Sequence, residues 1–355
     1  MSSSKRVYYY DFLRIISISA VVLIHVSASA LHHYDIGSFE WGISNLYSSV
    51  SRFAVPVFVM ISGALFLDRD ISIKTIYKKN ILRLLLAYIS FYILYNIYEG
   101  IENGRRVASI IKRMIFFNDI PYHLWFIVML IGLYMIIPFL RLVISNPKLS
   151  HYFCVLSLLF SFALPQALSM LNTFLGDQIA FINTYFNDLN LFLPLGYSGY
   201  FVLGYLLSKT NISKRAEVII YVFGLIGIVS TFFYQQLNDS LVKQEALPLY
   251  DYSNLNLRLN VLFEAVAVFV LAKNHFIANS EIAQRAIHKI SGLTFGVYLI
   301  HLMFIYILEK HFSFLSPLEM NPAFSILIAT IIVLFCSFAV AIVLKTIPIV
   351  KDYIV

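Results

Sequence analysis

Ten apolar runs divide the chain, at about residues 12–32, 46–67, 81–98, 122–143, 151–171, 191–208, 216–234, 256–272, 291–309 and 323–346. Each comes near the roughly 20 residues that a helix needs to cross a hydrocarbon layer. Short polar stretches separate them, and the sixth and eighth runs are brief enough to suit tilted or broken helices. The pattern predicts an all-α, polytopic membrane protein of about ten transmembrane helices in one bundle, a single integral-membrane domain over residues 1–355. The first run lacks the small-residue cleavage site of a removable leader and is long enough to span, so it reads as a retained signal anchor.

Composition agrees with the pattern. Hydrophobic residues make up 60% of the chain and charged residues 13%, against about 45–50% and about 25% in soluble domains. Cys154 and Cys336 both fall within apolar runs and predict neither a disulfide nor a metal site.

Charge orients the bundle. An even number of spans puts both termini on one side, and the segments on that side hold seventeen of the 26 Lys and Arg residues, against six on the other. The positive-inside rule then makes both termini cytoplasmic, in a plasma membrane. The formal net charge of +7 needs no nucleic-acid partner, because the excess lies where anionic lipid headgroups are.

The opposite set of loops differs in kind. Segment 172–190 has Asp177 and Asp188 without Lys or Arg, and 235–255 is rich in Asn, Gln, Asp and Tyr; a sugar-binding surface and a plain solvated loop both read this way. Segment 99–120 interleaves Ile110, Ile111, Met114, Ile115 and Phe117 with Arg105, Arg106, Lys112 and Arg113. That suits an amphipathic helix lying on the outer leaflet over the mouth of a site.

Three cations remain inside or at the lip of spans: Arg14, Arg52 and Arg258. An intramembrane cation marks a functional site by default, and an ion pair with Asp11 or Glu264 is the structural alternative for each. In the first span, eleven steps of roughly 100° bring His25 back to within about 20° of the face of Arg14, about 16 Å along the axis. One stripe therefore carries a cation near one surface and an imidazole past the midplane. Snorkelling of Arg14 and an interhelical hydrogen bond from His25 are the plain readings of the pair.

Further along, Lys74, Lys78, Lys79 and Arg83 gather at the inner end of the third span. They suit either topology-setting charge or a clamp for phosphates. Pro56 and Gly63 predict a kinked second span with a close neighbour. His123 and Trp125 open the fourth span, Glu264 lies deep in the eighth, and Tyr298 precedes His301 by three residues on one face of the ninth.

Glycine-rich phosphate loops, His-Glu-x-x-His, cysteine clusters and G-x-S-x-G elbows are all missing. What remains is histidine as a general base with arginines and lysines as anion clamps, which suits acyl transfer from a charged carrier to a hydroxyl. An exporter of polysaccharide or of lipid-linked glycans would line its passage with the same groups. So would a glycan-binding membrane component.

Taken together, these residues resemble the integral-membrane acyltransferase family 3, the cell-surface glycan O-acyltransferases. The likeness rests on Asp11, Arg14 and His25, on Arg52-Phe53 through Pro56 to Ser62-Gly63, on the basic group ending at Arg83, on Leu124-Trp125-Phe126, and on Tyr298 to His301. It implies a ten-helix fold, cytoplasmic acetyl-coenzyme A as acyl donor without a metal, and a hydroxyl of a glycan or lipid-linked sugar as acceptor. His25 would be the catalytic imidazole, with Arg14 and Asp11 beside it. Lys78, Lys79 and Arg83 would bind the donor, and Arg52, His123, Trp125, Glu264, Tyr298 and His301 would serve the acceptor. Lysines stand at 78 and 79 where the family often has arginine, and lysine is a poorer bidentate clamp. The chain also lacks the hydrolase-like domain that some relatives append.

Overall fold

The computed structural model describes residues 6–116, 120–175, 189, 192–243, 255–315 and 318–354. Asp177, Asp188 and the 244–254 part of the polar loop lie outside them. Among the described residues the regular structure is helical, and each of the ten apolar runs forms helix.

Helix α1 (Tyr8–His33) is the hub. Beyond it the chain turns back through α2 (Phe39–Ser51) and α3 (Ala54–Phe66). The break at Arg52-Phe53 has a direct cause: Pro56 has no N–H to offer the Arg52 carbonyl four residues earlier, so the ladder restarts with Val57 N–H to Phe53 O at 3.0 Å. The kink expected of this span therefore falls one turn before the proline. Next come a six-residue π-helical stretch, Ile76–Ile81, and α4 (Leu82–Glu102). The amphipathic segment forms α5 (Val107–Ile115), with Ile110 buried against Gly100 while Val107, Ile111 and Ile115 stay exposed.

A single 3₁₀ turn at Tyr122–Leu124 leads into α6 (Trp125–Met135), which meets α7 (Ile137–Ser145) at a 56° bend just before Pro138. Helices α8 (Pro147–Ser157) and α9 (Leu164–Leu175) are joined by a second π-helical stretch, Leu158–Ala163. Then follow α10 (Phe192–Lys209), α11 (Lys214–Lys243) and α12 (Leu259–His275). The chain closes with α13 (Glu281–Ser291), α14 (Thr294–His311), α15 (Pro322–Thr346) and the short α16 (Pro348–Tyr353).

Among the described residues, six helical stretches are long and apolar enough to cross a membrane. The number rises to eight when α6–α7 and α13–α14, bent at 56° and 53°, each count as one span. The other two predicted spans are the brief ones, realised as α10 with 18 residues and α12 with 17. Two sequence readings change. The polar stretch from 235 continues α11 as far as Lys243, and α13 is a helix that the apolar pattern did not announce.

Packing is closest between α3 and α10. A Cβ on Gly63 would lie 1.8 Å from the Phe201 carbonyl oxygen, and one on Gly204 would lie 2.1 Å from that of Met60. Two glycines facing each other's backbones are what lets these helices touch. Around this pair, α1 packs against α2, α3, α12, α13, α14 and α15, so the stripe that begins at Asp11 runs through the middle of the bundle.

Candidate functional site

Asp11 is 2% exposed and is gripped from three sides at the start of α1. Arg6 Nε donates to Oδ2 at 2.7 Å and Arg6 Nη2 to Oδ1 at 3.0 Å. Arg14 Nη1 donates at 3.2 Å, and the Ser291 hydroxyl, at the end of α13, donates at 2.7 Å. A buried carboxylate is tolerated only when paired and hydrogen-bonded. Asp11 is therefore an anchor that fixes the Arg14 guanidinium and pins α1 to the α13–α14 junction. Its bond to Arg6 also holds that guanidinium above its ordinary pKa.

Arg14 faces a cavity of about 980 Å³, whose wall carries five cations, Arg6, Arg14, Arg69, Lys209 and Lys273, against the carboxylates Asp11 and Asp68. Tyr9 and Tyr10 add aromatic faces to it. Four of those cations come from elements far apart in sequence. Lys273, on the last turn of α12, donates to the Leu207 and Thr210 carbonyls at the end of α10. Lys209 pairs with Asp68 at 2.5 Å. Arg141 of α7 donates to the carbonyls of Phe66, Arg69 and Ile71, and so holds the loop that presents Asp68 and Arg69.

Lys78, Lys79 and Arg83 are exposed and do not line this cavity. The π-helical stretch alters the register between them, since Leu82 N–H bonds to Tyr77 O five residues back. Arg83 nevertheless joins the same end of the bundle: Tyr134 lies within electrostatic reach of both Arg14 and Arg83.

Three turns further along α1, His25 lines a second cavity, of about 30 Å³, with Val21, Val55, Phe58, His123, Trp125, Phe126 and Tyr298. That volume suits one or two water molecules. The two cavities share no lining residue; Ser17 and Ile18, on α1 between Arg14 and His25, are fully buried. The stripe predicted from helical periodicity therefore borders two separate cavities.

Around His25 the fold collects polar groups from three spans. The imidazole stacks on His301 with centroids 5.3 Å apart, and His301 meets His123 edge-on at 5.4 Å. Tyr122 Oη sits 3.2 Å from His25 Nδ1. Tyr298 Oη donates to the His123 carbonyl at 2.6 Å, tying α14 to the mouth of α6. His301 Nδ1 bonds to the Tyr298 carbonyl at 2.7 Å. A carbonyl only accepts, so Nδ1 carries the proton and the buried Nε2 presents a lone pair. Trp125, 40% exposed, stands at the rim against Tyr197.

Arg52 donates to Ser48 Oγ at 2.9 Å at the α2–α3 break and lies within electrostatic reach of both His25 and Glu264. Glu264 is 2% exposed and accepts from the Thr231 hydroxyl at 2.5 Å. It stands apart from the small cavity. Arg258, a cation left unassigned by the sequence, lies over the Tyr234 ring at 4.0 Å. Sequence reasoning missed Arg6, Arg69, Lys209 and Lys273, each of which looks like ordinary loop-end charge until the helices are assembled. It also missed Tyr122, which reads as an interface anchor.

The described residues thus form a helical bundle with a cationic cavity at one end and three clustered histidines deep inside. The family model for an acyltransferase domain, that of acyltransferase family 3, matches residues 7–344, and the chain belongs to this family. Neither a curated protein nor a solved structure matches it.

Proposed function

We propose that this chain is a membrane O-acyltransferase that moves an acyl group, acetyl in the simplest case, from cytoplasmic acyl-coenzyme A to a hydroxyl of a cell-surface or lipid-linked glycan. In this reading all ten predicted helices cross the plasma membrane, α10 and α12 included, and both termini are cytoplasmic. The supporting observation is the arrangement along α1: a five-cation cavity at Arg14, and His25 on the same helical face at the wall of a second cavity.

The donor's phosphates suit the cavity at Arg14, where fixed cations bordering a dry interior attract a polyanion far more than exposed ones do. Arg14, held by Asp11, marks the inner end of the path. Lys78, Lys79 and Arg83 extend the same positive rim outward. His25 takes the proton from the acceptor hydroxyl as its oxygen attacks the thioester carbonyl. The new C–O bond forms, the C–S bond breaks, and the proton passes from the imidazolium to the leaving thiolate. Products are the ester and a free thiol. His123, Tyr298 and His301 wall the reaction site from lipid, Trp125 guards its outer rim, and Arg52 and Glu264 set the field on its far side. Because the two cavities share no lining residue, the cycle includes a parting of α1 from its neighbours that lets the thioester through.

The test replaces His25 with Ala, confirms membrane expression, and follows label from acetyl-coenzyme A into the glycan. Loss of transfer is expected; transfer at the level of the unaltered protein overturns the proposal. Analysing the cell-surface glycan with and without the protein then identifies the acceptor.

A further inference from the structure

A third cavity, of about 310 Å³, opens on the far side of Tyr122 from His25, between α4, the turn before α6, and α14. Tyr95, Tyr98, Tyr122 and Tyr306 line it, with Glu99 at its edge. Tyr122 belongs both to this wall and, through its 3.2 Å contact, to His25 Nδ1. We propose that this chamber binds the acceptor, and that it is built for one uncharged pyranose ring. This deepens the acyl-transfer reading above and rests on it for the identity of the reaction.

Size, shape and charge each argue for that ligand. The volume is at the small end of ligand sites, which suits one ring and not a chain. Tyrosine offers an apolar face for the C–H face of a sugar and a hydroxyl for its rim. Tyr98 lines the cavity while its hydroxyl is buried and has no hydrogen-bond partner in the protein, a costly state that a small rotation of the ring toward a ligand hydroxyl would relieve. Tyr95 is already committed: it donates to Leu299 O at 3.1 Å and accepts from Met303 N–H at 3.1 Å, which fixes its ring in place.

No cation is among the lining residues. Glu99 is paired with Arg105 at 3.2 Å. Glu309, hydrogen-bonded by Ser29 on α1, is within electrostatic reach of Tyr122 and Tyr306. With Glu99 already taken by Arg105, Glu309 nearby and no cation on the wall among the described residues, the chamber gives the carboxylate of a uronic or sialic acid nothing to pair with.

The protein in lipid nanodiscs, free of sugar-based detergent, is examined by saturation-transfer NMR with methyl glucoside, methyl galactoside, methyl mannoside and sodium glucuronate as probes and no donor present. Saturation transfer to at least one neutral glycoside is expected, and at least threefold less to glucuronate. Tyr306→Ala should cut the signal at least threefold. Tyr98→Phe, which removes one oxygen and keeps the ring, should cut it about twofold and serves if the alanine variant does not fold. Tyr152→Ala, exposed on α8 away from the chamber, should match the unaltered protein. Absence of transfer to every neutral glycoside, a signal that survives both Tyr306→Ala and Tyr98→Phe, or glucuronate binding as well as the neutral sugars overturns the proposal. Sugar binding is read without acyl transfer, so its failure is distinct from that of the His25 test.

Discussion

At the scale of single residues, the stripe on α1 has a division of labour. Asp11 is an anchor: Arg6, Arg14 and Ser291 all donate to it, and removing its charge leaves Arg14 without a tether. Breaking a buried ion pair costs on the order of 3–5 kcal/mol, and the partly exposed arginines reduce that here. Asp11→Asn should therefore lower the thermal midpoint measured in nanodiscs and raise the donor KM several-fold, with a smaller change in the acceptor KM. An unchanged midpoint and donor KM would remove the anchoring role. Tyr122→Phe keeps the aromatic wall and deletes the bond to His25 Nδ1. A hydrogen bond of about 1 kcal/mol corresponds to roughly fivefold, so kcat should fall by about that factor while the donor KM stays put. Equal kinetics in the two proteins would show that His25 is oriented by stacking on His301 alone.

Helices act here through their irregularities. Pro56 breaks the second span at Arg52-Phe53, which brings Arg52 level with His25, and Val55 and Phe58 onto the wall of its cavity. Close approach of α3 and α10 depends on glycine. Adding a methyl group at Gly63 or Gly204 forces it into backbone at 1.8 or 2.1 Å, and overpacking of this sort costs about 1–3 kcal/mol or more. Gly63→Ala and Gly204→Ala should each reduce folded yield and thermal midpoint. Gly132→Ala, where a new Cβ meets nothing within 4 Å, should not. Similar losses in all three would mean that close α3–α10 contact is not what the two glycines secure.

Across the whole molecule, charge sorts to one end: Arg6, Arg14, Arg69, Lys209 and Lys273 surround a single cavity, with Arg83 nearby. Exposed cations lose reach over about 8 Å at physiological salt, so donor binding should weaken as ionic strength rises. Arg69→Glu should raise the donor KM about tenfold and flatten that salt dependence, checked by initial rates at two salt concentrations. In intact cells, a cysteine introduced at Lys148 should resist a membrane-impermeant thiol reagent and one at Ser109 should react, the outcome that cytoplasmic termini require. The reverse pattern would invert the bundle.

Much of the fold was legible in the chain because a bilayer leaves few options. Every backbone group must be paired within a helix, so long apolar runs become helices wherever they occur, and all ten did. Periodicity likewise put Arg14 and His25 on one face, since 3.6 residues per turn holds whatever the neighbours are. Tertiary structure alone decided what those residues meet. Lys209 and Lys273 reach the cavity at Arg14 only because the ends of α10 and α12 lie beside the foot of α1, and His25 meets His301 because α14 packs along it. Spacing within one helix is local geometry, whereas the contacts between helices follow from side-chain shape and glycine placement summed over the whole bundle. That sum is what joined three histidines and set an aromatic chamber beside Tyr122.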